Sequence, residues 1–254
     1  MPLKLLLKFE AERPVKLSHL KPKVAHGIVF SFFKDSPEVG ELLHSGGIKP
    51  FSISINSHFR YPEREVKRFG IVFNLLDNSL YPKISRFFLG GGEFTVGGVK
   101  VELSWVKPLE VETYSSLLEG AEPSQDILID FLSPTAFKRG SFDYPLPEPQ
   151  LVFSGLLRKW NRFSPVKLDR EIYKKLQKLL TVSGCWIKTK KVEVMDGAKF
   201  TGFTGRVLFY ADGKEEELRA LNALAAFARF SGVGRKTTMG FGSVKLPTKE
   251  VKGD

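Results

Sequence analysis

The chain has 254 residues, 42% of them hydrophobic and 26% charged, with 39 Lys+Arg against 28 Asp+Glu and a formal net charge of +11. These proportions exclude collagen, coiled-coil and linker classes and wholesale disorder, and the length suits one large unit or two ordinary ones. No stretch approaches the ~18 to 20 uninterrupted apolar residues of a membrane helix, and Cys185 stands alone, so the sequence predicts no membrane association, no internal disulfide and no Cys-x-x-Cys zinc half-site. A cytoplasmic protein is expected.

Charge is uneven: residues 1–125 are net +2 and residues 126–254 net +9, so an acidic partner meets the second half more strongly. In chain order, the segment from Met1 to Phe9 reads as the start of a strand and not as a signal peptide, and Lys4 to Glu12 alternates as a strand that ends before Pro14. Val24, Ile28, Val29, Phe32 and Phe33 then follow a helical period. Glu38 to His44 continues as a short helix stopped by Gly46-Gly47. Phe51, Ile53 and Ile55 alternate with polar residues as a strand, and Phe69 to Leu76 forms another. Asp77 caps a helix through Phe88. Glu93 to Tyr114 has a hairpin pattern around Gly97-Gly98, with Val99, Val101, Leu103 and Trp105 on one face.

Ser115 to Ser124, with Gly120 and Pro123, is the best linker candidate. After it the order repeats: a strand over Asp126 to Leu132, a helix over Pro149 to Phe163, a helix capped by Asp169 through Leu180, and strands over Cys185 to Met195 and Phe200 to Tyr210. An alanine-rich helix over Glu215 to Phe230, a glycine-rich loop and a last strand over Ser243 to Val251 complete the chain. Two βαββαβ units predict an α+β protein of two tandem ferredoxin-like domains, residues 1–122 and 123–254.

The loop Gly232-Val-Gly-Arg-Lys-Thr-Thr-Met-Gly-Phe-Gly242 has the form G-x-G-x5-G-x-G. Its four glycines permit positive φ and close backbone approach, while Arg235 and Lys236 add charge. It lacks the P-loop pattern and follows a helix where a dinucleotide fingerprint follows a strand. Two readings remain open, a phosphate-binding loop and a tight bend between helix and strand.

The four histidines, His19, His26, His44 and His58, all fall in the first quarter of the chain. His44, at a helix end before two glycines, suits a general acid. His26 lies among apolar residues, a pattern that favours a core histidine satisfied by a backbone carbonyl over a catalytic one. Lys49 can place an ammonium near His44. Two imidazoles and a cation are the groups needed for RNA cleavage by its own 2′-OH: a base takes the proton, the oxygen attacks phosphorus, a cation steadies the phosphorane, and an acid protonates the leaving 5′-oxygen. No carboxylate cluster suggests a metal site, and Glu215-Glu216-Glu217 reads as compensation of a helix dipole. Lys138, Arg139, Arg158, Lys159, Arg162, Lys188, Lys190 and Lys191 supply a basic surface.

These residues resemble the CRISPR-associated repeat-RNA endoribonucleases of the RAMP superfamily. The resemblance lies in Leu42-Leu-His-Ser-Gly-Gly-Ile-Lys-Pro-Phe-Ser-Ile-Ser54, Phe131-Leu-Ser-Pro-Thr-Ala-Phe-Lys138, Pro147-Glu-Pro-Gln-Leu-Val-Phe-Ser-Gly-Leu-Leu-Arg-Lys-Trp-Asn161, Gly202-Phe-Thr-Gly-Arg-Val207 and the glycine loop. It implies cleavage of precursor CRISPR RNA within its repeats, without metal or other cofactor, leaving a 2′,3′-cyclic phosphate. His44 matches the histidine before the family's K-P-F motif, Lys49 is the lysine of that motif, and His26 matches a second histidine used by some members. Others use a tyrosine; none precedes Tyr61 here, and the base stays open. The loop residues Gly232, Gly234, Arg235, Lys236, Thr237, Thr238, Gly240 and Gly242 become RNA contacts, and the alternative is a non-cleaving RNA-binding subunit of an effector complex. CRISPR repeat RNA is the expected partner, and association with effector subunits or a second copy is compatible with the resemblance.

Overall fold

The computed structural model describes residues 1–33, 47–90, 92–169, 171–195 and 197–247. β1 (Leu3–Lys16) alternates buried Leu3, Leu5, Leu7, Phe9 and Ala11 with more exposed residues, the period-2 pattern of a half-covered strand. It does not end before Pro14 as the sequence suggested. Its register against β3 shifts between Glu10 and Val15, and this irregularity accommodates a proline that has no N–H to give to a ladder. A 3-10 turn leads to α1 (Pro22–Ser31), which has proline at its first turn and buries Ala25, Ile28 and Val29. The expected helix over Glu38 to His44, and His44 itself, lie outside the described residues.

β2 (Phe51–Ser54) is followed by α2 (Asn56–Arg60), a one-turn helix. β3 (Glu65–Leu75) begins earlier than expected. Asp77 accepts a hydrogen bond from the Ser79 N–H and so starts the 3-10 turn that feeds α3 (Tyr81–Gly90). β4 (Glu93–Val96) and β5 (Val99–Val111) form the hairpin at Gly97-Gly98, both glycines with positive φ. Trp105 does not share the buried face of Val99 and Val101. Lys8 pairs with Trp105 and Phe9 with Leu103, so Ser104 is an extra residue; the bulge turns Trp105 outward to 46% exposure. The five antiparallel strands lie in the order β2-β3-β1-β5-β4.

Half of the linker candidate is helical: α4 (Tyr114–Glu119) carries a capping box of Thr113 and Ser116. Tyr114 packs edge-on against Trp160 and tilted against Phe227, while its hydroxyl donates to the Leu76 carbonyl. The connection is therefore part of the second core. β6 (Asp126–Thr135) leads to a small hairpin, β7 (Phe137–Arg139) and β8 (Phe142–Tyr144). α5 (Pro149–Phe163) and α6 (Glu171–Leu179) follow. β9 (Leu180–Met195) and β10 (Ala198–Ala211) are long paired strands, α7 (Glu215–Ser231) covers the sheet, and β11 (Val244–Lys245) is far shorter than the expected strand to Val251. Residues 248–254 lie outside the described residues. The second sheet has the order β11-β6-β10-β9, and the chain is α+β with two tandem ferredoxin-like units.

Short polar and aromatic contacts join the units. Ser52 donates to the Phe230 carbonyl at 2.5 Å, and Ser54 to the Ser243 hydroxyl at 2.9 Å. Arg229 pairs with Glu110 and Glu112. Phe59, Phe241 and Phe200 pack with tilted rings across the junction. These contacts set β2 of the first unit against the glycine loop of the second.

Candidate nucleic-acid interface

The glycine loop leaves α7 at Gly232, whose φ of 61° ends the helix. Gly242, with φ 69°, lies so close to the opposite limb of the loop that an added Cβ would sit 1.9 Å from the Val233 carbonyl oxygen. At Gly240 a Cβ would meet Ile55 of the first unit at 2.5 Å, and at Gly234 the Ala136 carbonyl at 2.4 Å. Here the glycines serve close packing, including packing between units. Between them Lys236 adopts φ 60° and ψ 29°, the left-handed region, the one non-glycine residue to do so among the described residues. Such a conformation costs about 1–2 kcal/mol and is held by the surrounding loop.

One limb of this loop faces a cleft of about 480 Å³, within the usual range of ligand sites. Six cationic side chains line it: Lys49 from the first unit, Lys138 from β7, Arg158 and Lys159 from α5, and Arg235 and Lys236 from the loop. Gly232, Gly234, Thr237 and Thr238 complete the loop wall, and neither Asp nor Glu is among the lining residues. Arg235 is held by Asp143 of β8. Burial lowers the pKa of Lys49. Burial first, then the neighbouring Arg235, lowers that of Lys236 against the opposing pull of Asp143. Burial and then Arg158 push Lys159 down to about 7. Like charges gathered along a lining that holds no carboxylate repel one another, and an anion entering the cleft relieves that repulsion.

His26 stands on α1 beside this wall. Its Nδ1 is 2.8 Å from the Thr238 carbonyl oxygen, and because a carbonyl only accepts, Nδ1 carries a proton, which in the neutral ring leaves Nε2 with the lone pair. The ring stacks on Phe51 and tilts on Phe30. That bond satisfies a core histidine and equally orients a base, so the geometry joins His26 to a residue of the cleft wall without choosing between the two roles. The remaining described histidines are structural. His58 lies 2.8 Å from the Leu17 carbonyl oxygen, with its pKa lowered chiefly by burial, and His19 covers Gly97.

Of the other predicted contacts, Gly240 and Gly242 pack behind the wall. Arg139 pairs with Glu148 and lies over the Tyr144 ring. Arg162, Lys188, Lys190 and Lys191 are exposed and do not line the cleft, the three lysines lying on the edge strand β9. Lys159 is what sequence reading undervalued, naming it only as surface charge. Its signal was position: it follows Gly155 by four residues and Leu156 by three, on the stripe of α5 that faces inward. Among the described residues no three His, Cys, Asp or Glu side chains group as metal ligands, and no helix is long and apolar enough to cross a membrane.

Two tandem ferredoxin-like units thus meet at a cationic cleft. The family model described as "CRISPR-associated endoribonuclease Cas6" matches residues 129–244, the stretch that holds α5, the second sheet and the glycine loop. A protein of that name from Mycobacterium tuberculosis is 29% identical over 119 residues, 46% of this chain and 38% of its own length. One from Streptococcus thermophilus is 23% identical over 154 residues, 60% of this chain and 63% of its own. Solved structures extend the likeness to both units. A Cas6 product complex is 29% identical with a TM-score of 0.79, covering 97% of this chain and 99% of that one. A Thermus thermophilus Cas6, also a product complex, is 27% identical with a TM-score of 0.80 and the same coverage. The chain is thus similar to the CRISPR-associated Cas6 endoribonucleases in its second unit by sequence and across both units by structure.

Proposed function

We propose that the protein is an endoribonuclease that cleaves precursor CRISPR RNA within its repeats, and that the reaction is attack of a ribose 2′-OH on the adjacent phosphate without a metal ion. The observation that carries this reading is the cleft. It is lined by six cations with no acid in the wall, and has Lys49 in its lining and His26 bonded to Thr238 at its edge. Phosphodiester is the anion such a wall suits. Solved relatives add support, since one Cas6 neighbour exists as product and substrate-mimic complexes and as a histidine-to-alanine mutant.

In this reading the cleft cations hold the scissile phosphate and Lys49 offsets charge developing on the phosphorane oxygens. His26, held by the Thr238 carbonyl with Nε2 unprotonated, accepts the 2′-OH proton. His44 protonates the leaving 5′-oxygen, and the products are a 2′,3′-cyclic phosphate and a free 5′-hydroxyl. A second reading, an RNA-binding protein that does not cut, draws on the same His26 bond: a ring fully satisfied by packing and a carbonyl needs no chemistry.

Purified protein incubated in EDTA with the repeat RNA of its own array, beside the same RNA carrying a 2′-deoxy sugar at the cut, tests the proposal. A single cut in EDTA, abolished by the deoxy sugar, is expected. Tight binding with no cut favours the binding-subunit reading, and cutting that requires added magnesium contradicts the mechanism.

A further inference from the structure

A lysine ammonium has three N–H donors and no acceptor. Lys159 spends two of them on the carbonyls of Ser231 and Gly232, at 2.8 and 3.0 Å. Those carbonyls close α7 and open the glycine loop, where the negative end of the helix dipole lies. The two bonds fix the ammonium against both the helix end and the loop. The side chain also lines the cleft, and Asp143, the acid that pairs with the loop, is engaged by Arg235. A half-buried lysine whose ammonium is oriented by two carbonyls, with one donor left and no carboxylate among its described ion pairs, is set to receive an anion from the cleft side.

Resting on the cleft as the RNA site, we propose that Lys159 is a phosphate-binding residue, its third N–H donated to a non-bridging oxygen of the RNA backbone. The carbonyl pair preorganises it, so less side-chain entropy is lost on binding than at an exposed lysine. A second consequence is proton uptake. Burial and Arg158 hold the free ammonium near neutrality in pKa, and a phosphate beside it favours the charged form. Affinity for RNA therefore strengthens as pH falls from about 8.5 to about 6, the window around a pKa of about 7. Lys49, Lys138, Arg158, Arg235 and Lys236 face the same space. Lys49 and Lys236, also lowered by burial, add any proton uptake of their own on top of it.

The test is binding of a 2′-deoxy-blocked repeat RNA to the full chain and to Lys159→Met, which keeps the stem and removes the donor, across that pH range and across salt. The expected result is an affinity loss on the order of 10-fold near pH 7, a salt slope smaller by about 1, and a flattened pH dependence. Weaker binding with the wild-type salt slope and pH dependence would show a purely structural tie and overturn the proposal while leaving the cleft standing. No binding by the wild-type chain would overturn the cleft reading and this proposal with it. Should Lys159→Met fail to fold, the Lys159 Cε resonance of the wild-type protein answers instead: its pKa rises when RNA is added, and an unmoved pKa overturns the assignment.

Discussion

Two basic regions of the second unit invite comparison. On β9, Lys188, Lys190 and Lys191 project from an edge strand into solvent, where water and salt already stabilise each charge. In the cleft, Arg158, Lys159 and Lys236 stand against a built wall with no acid in it, and burial lowers the pKa of both lysines. Equal formal charge thus has different consequences. The edge lysines add long-range attraction, whereas the cleft cations gain directly when an anion replaces lost hydration. The first unit contributes little net charge but brings Lys49 into the cleft lining and His26 to its edge.

The largest effect expected from breaking this arrangement is at Gly242. Alanine there combines a Cβ 1.9 Å from the Val233 oxygen with a φ of 69°, costing about 3 kcal/mol or more. Thermal unfolding should come roughly 6 to 12 °C earlier for a chain of this size, with RNA binding lost as the wall deforms. An unchanged melting temperature would mean that the loop is slack. Next, His44→Ala separates chemistry from binding: cleavage should fall by at least ~100-fold, about 2.7 kcal/mol, while affinity for uncleavable RNA stays within about 2-fold. Unchanged cleavage removes His44 from the reaction.

The smallest effect sharpens the comparison by testing a cation that the fold has already neutralised. Arg206 makes a two-pronged contact with Asp130 at 2.6 and 3.0 Å, and this contact first, then Lys245, lowers the carboxyl below its ordinary 3.8. A depressed carboxylate contributes stability above the unfolded-state pKa and loses it as pH falls through the folded one. With Arg206 about half exposed, Asp130→Asn should cost under ~1 kcal/mol at pH 7. That difference should fade below about pH 3.8, as urea midpoints at the two pH values would show, and RNA binding should not change.

Much of the fold was readable because local patterns determine it. Alternation in β1, β3 and β10 and the apolar stripe of α5 gave the βαββαβ order. What escaped depends on cross-strand and cross-unit contacts. The bulge at Ser104 that turns Trp105 outward exists only in the pairing of β5 with β1, and α4 is held by Tyr114 docking on Trp160 and Phe227 far along the chain. At the site, the glycine loop and its charges were legible as a motif. Their separation into packing glycines, 240 and 242, and cleft-lining ones, 232 and 234, was not, because Ile55 and Val233 decide it. Lys159 read as surface charge because one residue's burial depends on α7 and the loop closing over it.

The central claim is that the cleft, and not the β9 edge, holds the RNA. It is tested most directly by comparing two double variants, Arg158→Gln with Lys236→Gln and Lys188→Gln with Lys190→Gln, in salt-dependent binding to the same uncleavable repeat RNA. The cleft pair should lose at least ~10-fold in affinity and about 2 in salt slope, and the edge pair less than about 3-fold. The reverse order, with the edge pair carrying the loss and the cleft pair binding as wild type, would contradict the account.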